Sequence, residues 1–449
     1  MNIVIAGYGI EGKSSADYFG RQGHDITIVD ESDVTLGVNS PMQVRTGVGI
    51  FAQLDSLTPK PDMVIRTAGL APHKLKTTAR IWSATNEFFK QCPAPIIGVT
   101  GSKGKGTTCS LIASILRASG KTVHLVGNIG VPALDILPEI KPSDVVVYEL
   151  SSFQLWDVEY SPHIAVILHI EPDHLDVHES FDEYIQAKAH IVAFQSRNDI
   201  CLYHPTNRYS KHIAQVQPQF ATHAAKYAAE QKETTNIETV YEKDARFVTN
   251  SGRDICSVSE LKIPGKHNII NGAAAISACL SFDKNISNQA VVKGTNGFTG
   301  LPHRLKFVDE VAGVKYYDDS IATTPGSAIA AVESFVQPKV LILGGSSKGA
   351  DFNELAQAIA DAKVRHVLLI GAEAKRIAAA FEIEQFDKYS VVDDSQSMDA
   401  IVGVAGRLAE SGDVVVLSPA CASFGMFKNY SDRGDQFIAA VKKRKVGQA

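Results

Sequence analysis

The amino-acid sequence predicts an α/β protein of three domains, each built on a mainly parallel sheet with helices between its strands. The chain has 449 residues, which is more than a single hydrophobic core usually organises. Short apolar runs such as Ile96 to Val99 and Val340 to Leu343 recur along the chain, as expected for strands buried on both faces. Two glycine-rich loops join such runs to helical segments, which is typical of doubly wound sheets.

The N-terminal part of the chain begins as a βαβ unit. It contains a strand at Asn2 to Ala6, a helix at Lys13 to Gln22 and a second strand at Asp25 to Val29. The two prolines of Cys92-Pro93-Ala94-Pro95 then resist both a helix and a central strand. We therefore predict a Rossmann-like domain over residues 1–92.

The middle of the chain, residues 93–298, is predicted to form a second α/β domain. After a strand at Ile96 to Val99 come a helix at Gly106 to Ala118 and strands at Thr122 to Val126, Asp144 to Leu150 and Ile164 to Ile170. Residues 205–265 are more polar, so we predict less regular structure there. The run Phe298-Thr299-Gly300-Leu301-Pro302 interrupts the pattern and sets the next boundary.

Residues 299–449 are predicted to form a third domain, again Rossmann-like. Helical segments alternate there with strands at Lys315 to Tyr317, Val340 to Leu343, His366 to Ile370 and Asp413 to Leu417.

Composition excludes several classes of function. The net charge is −5, with 44 basic and 49 acidic residues mixed along the chain, so no basic stripe is available for a phosphodiester backbone. The six cysteines are scattered, as is typical of reduced thiols. The start lacks the features of an export leader, and no apolar run approaches the roughly 20 residues of a membrane span. We expect a cytoplasmic monomer that neither binds nucleic acid nor inserts into a membrane.

A first glycine loop, Gly7-Tyr8-Gly9-Ile10-Glu11-Gly12, follows the first strand and fits the G-x-G-x-x-G pattern. Its glycines allow backbone N–H groups to approach a diphosphate at the positive end of the helix. Asp30, at the end of the second strand, is placed to accept a hydrogen bond from a ribose hydroxyl. Three interpretations stay open: a dinucleotide such as NAD, another nucleotide diphosphate, or a glycine turn that serves helix packing.

A second loop, Gly98 to Thr108, joins a buried strand to a helix and carries Lys103 and Lys105. Two lysines at a helix N-terminus are unfavourable unless an anion offsets them, so the loop predicts contact with the phosphates of ATP. Its spacing is a variant of the Walker pattern, since Val99 and Gly106 stand where glycine and serine or threonine are usual. The alternative is a flexible loop without a ligand. The loop predicts a domain of the P-loop ATPase type for residues 93–298.

Polar side chains follow the neighbouring strands at the same predicted sheet edge. Glu149 closes the apolar run Val145 to Tyr148, and Glu171-Pro172-Asp173-His174-Leu175-Asp176 follows the next strand. Mg²⁺ accompanies nucleotide phosphates and prefers oxygen ligands, so we predict that Glu149 binds the metal and that His174 belongs to the site. Taken alone, a strand-end acid or a single histidine is more often structural.

Four motifs in combination resemble the Mur ligase superfamily, at Gly101 to Thr108, Tyr148 to Leu155, Glu171 to Asp176 and Pro264 to Asn271. Later motifs resemble the branch of that family which adds D-glutamate, at Thr299 to Arg304, Tyr317 to Ser320, Leu343 to Phe352 and Leu417 to Ser423. The resemblance covers essentially the whole chain. It implies a step of peptidoglycan precursor synthesis in which ATP phosphorylates the L-alanine carboxylate of UDP-N-acetylmuramoyl-L-alanine. The amine of D-glutamate then attacks the acyl phosphate and releases phosphate.

The resemblance also implies which residues bind the nucleotide and its metal. ATP contacts are expected at Gly101, Ser102, Lys103, Gly104, Lys105, Gly106, Thr107, Thr108, Asn268, Asn271, Arg304 and Asp319. Two Mg²⁺ ions are expected on Thr107, Glu149, His174 and Lys188, and catalytic roles fall to Lys105, His174 and Lys188. Lys188 stands where the family has a carbamylated lysine. From the surrounding sequence alone, it is interpreted as an ordinary lysine on a helix surface.

Substrate contacts are implied in all three domains. The UDP-sugar is expected at Gly9, Ile10, Glu11, Asp30, Thr67, Asn128 and Ser152. D-Glutamate is expected at Thr323, Lys348, Ser423 and Tyr430, where a lysine and hydroxyls suit a small dicarboxylate.

The sequence departs from the family pattern in the two loops and after the Asp-Ser pair. Gly106 moves the hydroxyl expected to meet Mg²⁺ to Thr107, and Glu11, Lys13 and Ile321 also differ from the usual residues. The Gly-Lys-Gly-Thr form is similar to folylpolyglutamate synthase, but that enzyme normally begins with its ATPase domain. Two further interpretations stay open: a sister ligase for another amino acid, and a nucleotide-binding regulatory or dehydrogenase protein built on the first loop.

Overall fold

The computed structural model describes residues 1–36, 40–128, 131–215, 224–229, 237–347, 349–393 and 396–446. The chain forms two compact units, one of Met1–Glu260 with Ile269–Gly297 and one of Leu261–Asn268 with Phe298–Ala449. The predicted α/β class is confirmed, because both units are built on mainly parallel sheets with helices between the strands. The division into three domains stays a prediction. The first unit itself contains two separate parallel sheets.

The first sheet is formed by the N-terminal part of the first unit. Its elements are β1 (Asn2–Ala6), α1 (Ile10–Arg21), β2 (Asp25–Asp30), β3 (Gln43–Thr46), β4 (Met63–Arg66), β5 (Arg80–Ser83) and α2 (Ala84–Gln91). The five strands are parallel, in the order β3-β2-β1-β4-β5. The strand order reverses between β1 and β4, so the loops after these strands border a crevice at the carboxyl edge.

The second sheet follows in the same unit. Its elements are β6 (Ile96–Thr100), α3 (Lys105–Ala118), β7 (Val123–Gly127), α4 (Ala133–Ile136), β8 (Val145–Glu149), α5 (Ser152–Leu155), β9 (Ile164–Ile167), α6 (Phe181–Ala193), β10 (Ile200–Tyr203), α7 (Arg208–Ala214) and β11 (Ala224–Lys226). The strands are parallel, in the order β11-β10-β9-β6-β8-β7. Every residue of β6 and β8 is buried, which explains their unbroken apolar runs. Because β6 lies between β8 and β9, the loops after these three strands meet at one edge.

A small antiparallel sheet completes the strands of the first unit. It consists of β12 (Val240–Lys243), β13 (Arg246–Thr249) and β14 (Asp254–Ser257), and it is followed by α8 (Lys266–Phe282) and α9 (Asn288–Gly297). The prediction of irregular structure for residues 205–265 is therefore wrong for these strands. They are only four residues long and bury six of their twelve residues, Phe247 among them, so each strand gives only a short apolar signal in the sequence.

The second unit is built around a single six-stranded sheet. Its elements are β15 (Lys306–Val311), β16 (Val314–Asp318), α10 (Pro325–Glu333), β17 (Lys339–Gly344), α11 (Asn353–Asp361), β18 (Val364–Ile370), α12 (Ala374–Ile383), β19 (Tyr389–Val391), α13 (Met398–Leu408), β20 (Val414–Leu417) and α14 (Tyr430–Val446). The order is β15-β16-β20-β17-β18-β19, and only β15 is antiparallel to its neighbour. The loops after β16, β17 and β20 therefore lie side by side.

One strand of the second sheet ends earlier than its apolar sequence predicts. The predicted strand runs to Ile170, but β9 ends at Ile167. Its partner β6 turns away at Gly101, where φ is +154° and a Cβ would lie 2.7 Å from the Cβ of Leu168. Leu168 and Ile170 stay buried without belonging to the ladder, so burial alone does not mark the end of this strand.

Two further properties agree with the composition. All six cysteines are free thiols, and five of them are buried. Among the helices of the described ranges, none is both long and apolar enough to cross a lipid bilayer.

A close helix contact in the first unit gives a stability prediction. A Cβ at Gly294 in α9 would lie 2.4 Å from the Cα of Ile115 in α3. We therefore expect Gly294→Ala to lower the free energy of unfolding by about 1–3 kcal/mol, because the helices must move apart. Denaturant titration followed by tryptophan fluorescence measures this, since both tryptophans, Trp82 and Trp156, belong to the same unit.

Gly297→Ala is the matched control in the same helix. There the nearest atom to a Cβ is the Oγ of Ser114 at 3.5 Å, which is an ordinary contact. Equal denaturation midpoints for the two variants would contradict the proposed close packing at Gly294.

Candidate active site

The phosphate loop lies at the carboxyl edge of the second sheet, between β6 and α3. It enters the helix through Gly104, which has a left-handed φ of +87° and caps the N-terminus of α3. The Nζ of Lys105 donates hydrogen bonds to the carbonyl oxygens of Gly101 at 2.9 Å and of Ser102 at 3.0 Å. The loop thus places a lysine at the N-terminus of α3.

The side chain of Asn271 lies against this loop. A Cβ at Gly104 would be 2.6 Å from its Oδ1, so glycine is required there by both space and conformation. Asn271 is buried on α8. Asn268 belongs to the second unit, where its Nδ2 donates to the carbonyl of Pro264.

Ser102 anchors the loop to the segment after β9. Its N–H donates to the carbonyl of His169 at 2.9 Å, and its hydroxyl donates to the carbonyl of Glu171 at 2.8 Å. The same hydroxyl lies 2.7 Å from the hydroxyl of Tyr184, and the Nζ of Lys103 lies 2.6 Å from Glu171. These groups are held by the protein, so the ATP contact of Ser102 stays a prediction.

A buried carboxylate faces the loop from the end of β8. Glu149 is 3% exposed, and its Oε1 accepts a hydrogen bond from the Nδ2 of Asn128 at 3.2 Å. Its Oε2 and the Oγ1 of Thr108 are buried without a hydrogen-bond partner among the described residues. Unpaired buried oxygens are costly, and a hard cation with a phosphate would satisfy both. This pair of buried oxygens fits Mg²⁺, and the metal contact predicted for Thr107 stays a prediction.

Lys188 is buried, so its interpretation as a surface lysine is wrong. It is 1% exposed on α6, and its Nζ donates to the carbonyl of Gly101 at 3.0 Å. The Nζ also lies 4.5 Å from the centre of the Tyr184 ring. Burial lowers the pKa of Lys188 well below its usual value, and the charge of Lys105 lowers it further. The Tyr184 and Lys188 pair is spaced i, i+4 on one helix face, a signal that the sequence analysis did not use.

The two histidines after β9 have different surroundings. His174 is half-exposed, has a left-handed φ of +55°, and its Nε2 lies 3.7 Å from the Oδ2 of Asp173. His178, which the sequence analysis did not select, is buried and lies 2.9 Å from the hydroxyl of Ser152. Burial lowers the pKa of His178. In the described residues no group of three or more His, Cys, Asp or Glu side chains is arranged to hold a metal, so His174 stays a predicted ligand only.

Asp30 and Thr67, two of the residues predicted for the UDP-sugar, lie beside the first glycine loop. Asp30 accepts hydrogen bonds from the N–H groups of Tyr8 at 2.8 Å and of Ser32 at 2.9 Å. The hydroxyl of Thr67 donates to the carbonyl of Ala6 at 2.9 Å and would be 2.3 Å from a Cβ at Gly7.

Three further residues of this group, at the start of α1, differ in their surroundings. Glu11 accepts from the N–H of Ala68 at 2.9 Å, and burial raises the pKa of Glu11. Ile10 is 80% exposed, and Gly9 has open space around its Cα. The positions of Gly9 and Ile10 can therefore meet a ligand at the start of α1.

The second unit holds its predicted residues at the ends of β16 and β20. Asp319 is buried and accepts from the N–H of Leu305 at 3.0 Å and the hydroxyl of Ser418 at 2.7 Å. Burial raises the pKa of Asp319 to about 7, although these hydrogen bonds and the charge of Arg304 oppose the shift. Ser423 is buried and Tyr430 is exposed. Thr323 lies just before α10, and Lys348 lies outside the described residues.

Comparison with protein families supports the resemblance found in the sequence. A model of the Mur ligase middle domain matches residues 99–279, and a model of the Mur ligase glutamate ligase domain matches residues 303–421. The chain belongs to the Mur ligase family. The phosphate loop and Glu149 lie within the middle-domain match, and Asp319 lies within the glutamate-ligase match.

Curated relatives of the Mur ligase family align over nearly the whole chain. A protein of Clostridium tetani named UDP-N-acetylmuramoylalanine--D-glutamate ligase is 35% identical over 452 residues, which cover 98% of this chain and 96% of the relative. A protein of Acetivibrio thermocellus with the same name is 36% identical over 455 residues, with the same coverage.

Solved Mur ligase structures share the fold. UDP-N-acetylmuramate-alanine ligase of Thermotoga maritima superposes with a TM-score of 0.61 at 18% identity, over 99% of this chain and 100% of that one. MurF ligase of Thermotoga maritima, solved in complex with ADP, gives a TM-score of 0.58 at 16% identity, over 100% and 95%. At these identities the likeness concerns the fold alone.

Gly104 provides a test of the phosphate loop. We expect Gly104→Ala to weaken ATP binding at least about tenfold, because the methyl group displaces Asn271 from the loop, a loss of about 1.4 kcal/mol. Isothermal titration calorimetry with ATP measures the affinity.

Gly120→Ala is the control for backbone strain. Gly120 has a φ of +90° but no atom within 4 Å of a Cβ, so this variant carries the left-handed cost without the collision. Equal ATP affinity in the two variants would contradict the role given to the Gly104 and Asn271 contact.

Proposed function

We propose that this chain is an ATP-dependent ligase that joins D-glutamate to UDP-N-acetylmuramoyl-L-alanine and releases ADP and phosphate. The observation that carries the proposal is the meeting of the phosphate loop with the buried carboxylate of Glu149 at one sheet edge. The relatives named as D-glutamate ligases support the choice of amino acid.

The reaction proceeds in two substitutions. A carboxylate oxygen of the L-alanine residue attacks the γ-phosphorus of ATP, the bond to the β-phosphate oxygen breaks, and ADP leaves. The nitrogen of D-glutamate then attacks the carbonyl carbon of the acyl phosphate, loses a proton, and phosphate leaves with the bonding electron pair. Negative charge develops on the transferred phosphoryl group and on the tetrahedral carbon, so positioned cations and N–H donors provide most of the catalysis.

Residues of the second sheet serve the nucleotide. Lys105 and the first turn of α3 stabilise the phosphates, and Asn271 fixes the loop. Glu149 and Thr107, with Thr108 beside it, would hold Mg²⁺, and a bound Mg²⁺ would neutralise phosphate charge. A second ion on His174 and a carbamylated Lys188 is part of the proposal.

The burial of Lys188 supports its carbamylation. A neutral amine attacks carbon dioxide, forms a nitrogen–carbon bond and releases one proton, which leaves an anionic carbamate. Burial and the charge of Lys105 lower the pKa of Lys188, so the neutral amine is present at lower pH than for an exposed lysine. The product replaces a buried cation by an oxygen ligand suited to a metal.

The remaining predicted contacts complete the proposal. The UDP-sugar binds to Gly9, Ile10, Glu11, Asp30, Thr67, Asn128 and Ser152. ATP also contacts Asn268, Arg304 and Asp319. Thr323, Lys348, Ser423 and Tyr430 serve D-glutamate. The free thiols agree with a reducing compartment, so we propose that the enzyme acts in the cytoplasm. We also propose that it acts as a monomer.

Phosphate release tests the proposed function. With ATP, Mg²⁺ and UDP-N-acetylmuramoyl-L-alanine present, we expect release to require D-glutamate and to be unaffected by L-glutamate, folate or NADH. A Lys105→Ala variant should lose at least about a hundredfold in rate, because a cation on the transferring phosphoryl group is removed. Release that proceeds equally with L-glutamate would overturn the assignment.

Chemical rescue tests the carbamate. We expect Lys188→Ala to be inactive and to recover part of its rate with millimolar formate or acetate, since these can occupy the cavity and supply a carboxylate. Lys105→Ala is the control and should not respond to the same acids. If Lys188→Ala is fully active, or inactive and unaffected by either acid, the carbamate proposal is wrong.

A further inference from the structure

Arg433 is a fully buried arginine in the second unit, and its side chain donates hydrogen bonds to two loops of the described structure. Its side chain has no exposed surface. The Nε donates to the hydroxyl of Ser320 at 2.9 Å, and Nη2 donates to the carbonyl of Ser320 at 2.8 Å and to that of Cys421 at 3.2 Å. The Nη1 donates to the carbonyls of Cys421 at 3.2 Å and Ala422 at 3.4 Å. The planar fork thus spans the loops after β16 and β20.

Among the described residues, no carboxylate accepts a hydrogen bond from the guanidinium. The nearby carboxylate of Asp318 instead lies 2.7 Å from the Nδ1 of His303. Burial lowers the pKa of Arg433 to about 10, which reflects the cost of keeping this charge out of water. A buried charge at such a cost needs fixed acceptors on all sides, and loop carbonyls provide them.

Two further segments form hydrogen bonds with the residues that Arg433 contacts. The hydroxyl of Ser320 donates to the carbonyl of Tyr430 at 2.7 Å, which connects the start of α14. The loop after β17 joins through Ser346, whose N–H donates to the carbonyl of Ala422 at 2.8 Å. Gly345 in this loop passes so close that a Cβ would be 2.1 Å from the same carbonyl. Arg433 therefore sits where four segments meet.

These segments carry the residues proposed for the amino-acid substrate and for ATP. Asp319 precedes Ser320, Thr323 follows it, and Ser423 follows Ala422. The backbone carbonyl of Tyr430 accepts the hydrogen bond from the hydroxyl of Ser320. Each of these residues lies in a loop or at a helix end, outside the strands of the sheet.

We propose that Arg433 is a positioning residue that holds the D-glutamate pocket together by clamping the loops of Ser320 and Cys421–Ala422. The inference rests on the proposed function, since it names the amino-acid pocket of that reaction. Arg433 touches no substrate in this proposal, because its donors are occupied by the protein. Its contribution depends on the shape of the fork rather than on the charge.

Replacing the fork while keeping the charge is the decisive experiment. We expect Arg433→Lys to raise the KM for D-glutamate about tenfold or more, because an ammonium cannot span both loops and charged hydrogen bonds are lost. The KM for UDP-N-acetylmuramoyl-L-alanine should stay within about twofold, since its proposed contacts lie in the other unit. Steady-state phosphate release by the full-length enzyme measures both constants.

Arg365→Lys is the matched control. Arg365 belongs to the same unit but pairs with the carboxylates of Glu410 and Asp413 before β20, at the opposite sheet edge. Its KM for D-glutamate should equal that of the wild type.

Ser320→Ala keeps the test decisive if Arg433→Lys does not fold. This variant removes one acceptor of Arg433 and the donor to Tyr430, and it should raise the KM for D-glutamate at least about threefold with the other KM unchanged. An unchanged KM for D-glutamate in the folded variants would overturn the inference. So would an equal rise in both KM values, which a merely structural role predicts. If the wild type itself shows no release dependent on D-glutamate, the proposed function fails instead.

Discussion

The carbonyl oxygen of Gly101 accepts hydrogen bonds from two lysines, Lys105 and Lys188. Two ammonium groups that share one acceptor repel each other, and burial adds to the cost at Lys188, whose pKa is lowered by both effects. An arriving anion, or the loss of charge by one lysine, therefore relieves this repulsion. The proposed chemistry provides both, since ATP brings the anion and carbamylation reverses the charge of Lys188.

The positions of the site residues follow from the order of the strands in each sheet. In the first sheet, Gly7–Gly12 and Thr67 follow β1 and β4, between which the order reverses. In the second sheet, β6 lies between β8 and β9, so the phosphate loop comes close to Glu149 and Glu171. In the second unit, the loops after β16, β17 and β20 adjoin. Long-range topology, rather than any local motif, brings these side chains together.

The sequence predicts elements best where the signal is local. The bounds of β1 are predicted as the structure has them, and those of α3 to within one residue, because buried strands and glycine-bounded helices leave clear patterns. The burial of Lys188 cannot be predicted this way, since it depends on α6 packing over a loop far away in the chain. The hydrogen bonds of Arg433 cannot be predicted from the sequence either, because they include backbone carbonyls of residues 320 and 421–422.

Lys188 and Arg433, two of the buried cations, show why each position has its own residue type. A buried lysine can lose its proton and act as a nucleophile toward carbon dioxide, and Lys188 has few acceptors that would hold it charged. Arginine keeps its charge, so every N–H of a buried guanidinium needs a hydrogen-bond acceptor. Ser320, Cys421 and Ala422 provide these acceptors for Arg433. The first arrangement is suited to chemistry and the second to holding loops in place. Exchanging the two residue types would remove both functions, since neither side chain can meet the demands of the other site.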